Sequence, residues 1–408
     1  MHILYKELCN AIEDRDDLTF TKVAEYIGAS KQCMSKFKSE GAIGFRKLLR
    51  LSYLLYPSNQ KEVMSEWCMR VISVESIKQS FEYAAITRNI ELLNNLITKH
   101  QKEKGSIGDY VAVYTIIYKY MTNEISGFDL VANVRKVGAL KDEALNILVN
   151  IIKCYNYYFE QNFTLMIATA REAERDLQFL SNKRELFLKE CYLHRIAEVL
   201  GPAYLHLNNL KLARHYAFTI INADICPKTV SDASYILGMS YLLEDEMKCV
   251  QYLQSSYDIA KTIEDLSIEN EARLNLDLAK LYLNVELTED SDIALINFQK
   301  NRDSEINLNL VKEVMYKRGD DELVILFEVM ESKSLTKMYE CFNTFLSQTN
   351  LFFASLIAKE MQKNGDSSVM VENMIKFTLK VEESVYFEKD FISSFISFNS
   401  SSSRGVCA

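Results

Sequence analysis

The 408-residue sequence holds only three prolines, twelve glycines and one tryptophan. So few backbone punctuators exclude a fold of many strands and tight turns, and favour long helices joined by short connections. No run approaches the roughly 18 apolar residues of a membrane span. The opening, MHILYKELCNAIEDRDD, turns acidic where a signal peptide would carry its apolar stretch. These absences predict a cytoplasmic protein with no membrane partner. The nine cysteines contain no CxxC pair and are odd in number, which speaks against a disulfide framework. There are five histidines and no HExxH, and GxxxxGK[ST], GxSxG and GxGxxG are also missing. His194, His206 and His215 stand 12 and 9 residues apart and share no helix face as zinc ligands would. No catalytic residue, metal or cofactor is therefore expected, and the protein reads as a non-enzyme.

Charge is unevenly placed. Between Leu18 and Tyr56 seven bases face two acids, a net +5 in a chain whose total is −9. A basic head on an acidic body predicts a polyanionic partner for the head alone. Within it, FTKVAEYIGASKQCMSKFKSEG reads as a helix-turn-helix. Ala24 is the small residue that lets two helices cross, and Gly28 falls at the turn, where positive φ is required. Val23, Ile27, Ala29, Met34 and Phe37 take the inward positions, and Ser30 is placed to cap the second helix. The outward face then displays Lys31, Gln32, Ser35, Lys36 and Lys38. Gln can pair bidentately with adenine and Lys with guanine, while the remaining Lys and Ser hold phosphates. Ser30, Lys31, Gln32, Ser35, Lys36 and Lys38 are thus expected to bind double-stranded operator DNA, with two heads supplied by a homodimer.

The body carries an internal repeat. LGPAYLHLNNLKLARHYA and LGMSYLLEDEMKCVQYL each have Leu-Gly followed by Tyr three residues after the Gly, with Gly201 and Gly238 separated by 37. Tetratricopeptide repeats have a period of about 34 and this signature on their first helix. Leu278, Ala279 and Tyr282 mark a degenerate third unit. The expected fold is all-α: an N-terminal helix-turn-helix (1–56), a right-handed tetratricopeptide-like solenoid (57–350), capping or dimerisation helices (351–386) and a flexible tail (387–408). On the leading helices, the register turns Arg195, Glu198, Pro202, Leu205 and His206 toward a groove, then Asp232, Tyr235 and Met239, then Arg273, Lys280 and Asn284. Both signs of charge beside an aromatic suit a short zwitterionic peptide.

With head and body read, the chain resembles the arbitrium receptors, the AimR proteins by which temperate phages of Bacillus sense a secreted short peptide. The resemblance runs through FRKLLRLSYLLYP, SFEYAAITRNIELLNNLI, VYTIIYKYM with EISGFDLVANVRKVGAL, and CYLHRIAEVLGPAYLHLNNLKLARHY. It implies a homodimeric regulator of the lysis–lysogeny decision, switched by a peptide of about six residues. Two family Asn positions fall on Pro202 and His206, a family Arg on Lys228, and a family Gln on Asn309. Lys228 can neutralise a carboxylate but lacks the bidentate fork of Arg. The implied peptide therefore differs from the best-known one. Peptide contacts are expected at Arg195, Glu198, His206, Lys228, Asp232, Tyr235, Arg273, Asn284 and Asn309. The family dimerises through its C-terminal end, which points to Phe352, Phe353, Leu356, Met374 and Phe377; a simple capping role for these helices is the other reading. Two rival functions stay open: a helical-repeat protein that promotes dephosphorylation of a response regulator, and a peptide-binding scaffold without DNA activity.

Overall fold

The computed structural model describes residues 3–182, 184–318 and 321–379; the expected flexible tail, 387–408, and the end of the expected capping segment lie outside them. The described residues form twenty-two α-helices and no strand. Two compact units are present. Of the described residues, the first takes 3–159 and 169–196, and the second takes 160–168 and 197–379.

The helices begin where side chains satisfy the first backbone N–H groups. Thr19, Ser30, Ser73, Asn89, Asn209, Asp245, Asp265, Ser334, Asn350 and Ser368 each accept from an N–H two or three residues on. One connector recurs. Arg88, Gln161, Asn208 and Thr349 all adopt positive φ, between 55° and 58°. Each is followed by an Asn (89, 162, 209, 350) whose side chain caps the next helix. One left-handed residue followed by a capping Asn stops one helix and starts the next with almost no loop, so the scarcity of Gly and Pro is no obstacle to sharp reversals.

The first unit opens with α1 (Ile3–Glu13), α2 (Phe20–Ile27), α3 (Lys31–Glu40) and α4 (Phe45–Leu55). Leu4, Leu8 and Ile12 of α1 and Val23, Ile27, Met34 and Phe37 of α2 and α3 are buried together with Leu48 and Leu51 of α4. Phe45 packs at 4.9 Å from Phe187 and 6.2 Å from Tyr83, so α4 seats the head on the rest of its unit. Arg46 adds a two-pronged ion pair to Glu190, at 2.9 and 3.0 Å, with the Glu190 side chain fully buried. Deeper in, Glu82 accepts from Arg195 Nε at 2.8 Å and from the Tyr114 hydroxyl at 2.7 Å. Burial, and then the neighbouring Glu82 carboxylate, hold the Tyr114 hydroxyl well above its ordinary pKa.

In the second unit consecutive helices pack in pairs, and its glycines explain the repeat. A Cβ on Gly238 would lie 2.6 Å from Leu253 Cγ and 3.1 Å from the Cys249 carbonyl oxygen. Helix Pro227–Ser240 can approach Glu246–Ala260 only because that Cβ is missing. The repeat tyrosines stack on the partner helix: Tyr204 on Tyr216 at 5.6 Å, and Tyr241 on Tyr252 at 5.8 Å. The Arg214 guanidinium covers Tyr241 at 3.8 Å. The C-terminal segment returns to the first repeat. Asn208 donates to the carbonyls of Ile375 and Phe377, and Thr378 donates to that of Leu207.

Candidate functional site

Two surfaces carry the chemistry expected from the sequence. On the head, Gly28 adopts φ 67° and its N–H reaches back to the carbonyls of Ala24 and Glu25, closing α2. Ser30 then opens α3 by accepting from the Cys33 N–H at 3.2 Å. That cap occupies the acceptor side of the Ser30 hydroxyl, and its O–H remains able to donate. Ala29, expected to point inward, is half-buried. The first turn of α3 presents Lys31 and Gln32, with Ser35, Lys36 and Lys38 following, and all five are exposed. An open cleft of about 670 Å³ between α2 and α3 is lined in part by Phe20, Ala24, Lys31, Met34, Ser35 and Lys38. Lys38 is already engaged. It pairs with Glu13 at 2.8 Å and sits 4.8 Å from the Phe20 ring. The hydrogen bond to Glu13 raises its pKa, so Lys31 and Lys36 are the better placed cations for a polyanion.

The residues expected on the groove divide. Arg195 lies in the first unit, 6% exposed and bound to Glu82, so it serves the interior there. Sequence reasoning missed this because its partner is 113 residues away. The others stand in the second unit. Lys228 and Asp232 neutralise each other at 2.6 and 2.7 Å across one helical turn. Tyr235, on the same helix, is half-buried, as is Glu198. His206 stacks on Phe163 at 4.5 Å and bonds to Asn350. The residue as a whole is half-buried while its ring is enclosed, and desolvation lowers its pKa to about 4. Asn284 is not a helical groove position. It ends helix Leu266–Leu283 in the left-handed conformation at φ 62°, where Asn is tolerated. Asn309 is exposed on helix Glu305–Arg318. Arg273 and Asp277 approach only to 4.0 Å.

At the C-terminal end Phe352 and Leu356, 3% and 0% exposed, are packed into the core of the second unit and leave no surface for a partner, unlike the expected dimerisation role. Phe353 and Met374 are half-buried and Phe377 is 44% exposed. Amphipathic spacing marked all five as apolar-facing without saying which neighbour they would meet.

Among the described residues no helix is long and apolar enough to cross a membrane, and no three His, Cys, Asp or Glu side chains are grouped to hold a metal ion. Comparison with known proteins adds the following. The family described as AimR, AimR transcriptional regulator-like, matches residues 60–363. The solved structure of SeMet-phAimR superposes with a TM-score of 0.65 at 17% identity, covering 92% of this chain and 100% of that one. That of phAimR-Ligand superposes with a TM-score of 0.63 at 18% identity, covering 79% and 98%. A Rap protein complexed with competence and sporulation factor gives 0.49 at 15% identity, covering 76% and 97%. No curated protein matches.

Proposed function

Since the chain belongs to the AimR transcriptional regulator-like family, we propose that it is a peptide-switched transcription regulator of a phage lysis–lysogeny decision. In this reading two copies read operator DNA through α3, and a secreted peptide of about six residues binds on the repeat faces of the second unit. The family match begins at residue 60, so the DNA reading rests on the head itself. The observation that carries it is the α2–α3 geometry: a left-handed Gly28, a capped α3 and an exposed Lys31–Gln32 first turn in a segment of net charge +5. A recognition helix contacts base edges with its N-terminal residues. Gln32 is suited to adenine, Lys31 to guanine, and Lys36 with the Ser30 and Ser35 hydroxyls to phosphates.

On the second unit, the Lys228–Asp232 pair is one that a zwitterionic peptide can exchange. Its carboxylate takes Lys228 while a peptide cation takes Asp232. Peptide and DNA each favour one arrangement of the protein, so each weakens the other by the same factor.

Fluorescence anisotropy on duplexes tiling the DNA beside the gene tests the head. Wild type binds one duplex selectively, and affinity falls steeply with salt as counterions are released. Lys31→Ala/Gln32→Ala loses that selectivity. Each lost base contact is worth about 1–3 kcal/mol. Uniformly weak binding indifferent to the substitutions and to salt refutes the DNA reading.

A further inference from the structure

The basic head does not offer all of its cations to solvent. Arg46 and Lys47 precede Arg50 on α4 by one helical turn, so the three share one edge of that helix, and all are half-buried. Each reaches a different element of the same unit. Arg46 holds the buried Glu190 carboxylate. Lys47 Nζ donates to Cys33 Sγ at 3.4 Å, in the first turn of α3, and it is the Cys33 N–H that the Ser30 cap accepts. Arg50 Nη1 donates to the Ile27 carbonyl at 3.4 Å, on the last residue of α2.

The carbonyls of a helix's last turn lack intrahelical partners, and a cation there also answers the negative end of the helix dipole. At the end of α2 the N–H groups of Gly28 and Ala29 take the carbonyls of Glu25 and Ala24, and Arg50 takes that of Ile27. The guanidinium lies so close to the turn that a Cβ on Gly28 would stand 3.1 Å from Nη1. Burial and the nearby Arg46 lower the Arg50 pKa, and Glu190 opposes them. One edge of α4 thus reaches the carboxylate that anchors the head, the turn between α2 and α3, and the turn of α3 that bears Lys31 and Gln32.

We propose, building on the DNA reading above, that Lys47 and Arg50 are positioning residues that set the angle at which α3 presents Lys31 and Gln32, with Arg46 as the fixed point and without touching DNA themselves. Hydrogen bonds to base edges weaken steeply with angle and distance, so discrimination needs the first turn of α3 held in place. Attraction to phosphates is far less directional and survives a small tilt of the helix. Loss of either contact from α4 therefore costs selectivity and spares non-specific affinity.

Fluorescence anisotropy of the full chain compares the duplex that wild type selects with a scrambled duplex of the same length and composition. Lys47→Met and Arg50→Met each keep an apolar stem and lose the donor. Each lowers the ratio of the two affinities on the order of tenfold, the discrimination that one base contact carries. Affinity for the scrambled duplex, and its dependence on salt, stay as in wild type. Arg50→Lys keeps a donor for the Ile27 carbonyl and holds a ratio between those of wild type and Arg50→Met; a ratio no better than that of Arg50→Met overturns the proposal. So does a salt slope reduced by about one in either Met variant, because the residue then binds a phosphate itself. A loss shared equally by both duplexes, in step with a lower melting temperature, assigns only a role in the fold and overturns it too. Should Arg50→Met fail to fold, Lys47→Met carries the test, since it leaves the buried apolar face of α4 intact. A ratio unchanged in both Met variants overturns the positioning role and leaves the DNA reading standing. A wild type without selectivity overturns the DNA reading and this proposal with it.

Discussion

The two signature glycines occupy equivalent places in the repeat, yet alanine at each has a different consequence. In a helix interior Gly→Ala is worth about 1 kcal/mol of stability through backbone entropy. At Gly238 the new Cβ lands 2.6 Å from Leu253 Cγ, 2.9 Å from its Cδ2 and 3.1 Å from the Cys249 carbonyl oxygen. Neither a branching carbon nor a backbone carbonyl swings aside, so helix Pro227–Ser240 must move away from Glu246–Ala260. Overpacking of this kind costs typically 1–3 kcal/mol, and the high end applies where backbone is struck. The net expectation is a loss of about 1–2 kcal/mol. At Gly201 the nearest atom is Ile236 Cδ1 at 3.2 Å, the end of a flexible side chain, and the next is at 3.9 Å. The helix-propensity gain is offset there by Pro202, which disfavours helical backbone at a preceding residue that carries a Cβ. Gly201→Ala should stay within about 0.5 kcal/mol of wild type, below the usual overpacking cost, because the end of the Ile236 side chain need yield only slightly. Thermal melts followed by circular dichroism read the contrast, at about 2–4 °C per kcal/mol for a unit of this size. Hydrogen exchange in residues 227–260 localises it. Equal shifts for the two variants, or a stabilised Gly238→Ala, would refute the claim that close helix approach explains the repeat glycine.

Three further outcomes follow from the same structure. His206 has its pKa lowered by burial to about 4, so its contribution is present above the unfolded value of about 6.5 and is lost as pH falls toward 4. Between pH 7 and 5 this amounts to at most about 2 kcal/mol of unfolding free energy. His206→Phe should flatten that part of the urea-measured pH profile, and an unchanged profile contradicts the assignment. Arg46→Ala removes the two-pronged partner of the buried Glu190 carboxylate, at a cost of up to about 3–5 kcal/mol. The double substitution Arg46→Met/Glu190→Leu recovers most of that loss in the same melts; if it does not, the pair is not an isolated electrostatic unit. Gly28→Ala forces φ 67° on a residue with a Cβ and should cost about 1 kcal/mol. No loss in stability would mean the α2–α3 turn relaxes to another conformation, which hydrogen exchange at residues 28–31 would reveal.

Much of the protein was legible in the chain because its causes are local. The inward Val23, Ile27, Met34 and Phe37, the left-handed Gly28 and the Ser30 cap need only neighbours within a few residues. The same holds for the all-helical class and for the paired helices around Gly201 and Gly238, where a short-range signature implies a contact one helix away. Lys228 and Asp232, four apart, are a pair that helical geometry alone brings together.

Only tertiary structure decided which charges and apolar faces are already in use. Arg195 and Arg273 look alike in the repeat register, and what separates them is Glu82, brought to one of them by chain folding across 113 residues. Lys38 reads like Lys31 and Lys36 until Glu13 is found beside it. Phe352 and Phe377 are equally apolar, yet one fills the core and the other stays 44% exposed. Periodicity fixes the direction in which a side chain leaves its helix. The partner it meets there is set by long-range packing, because a helix face carries no record of which distant element will cover it.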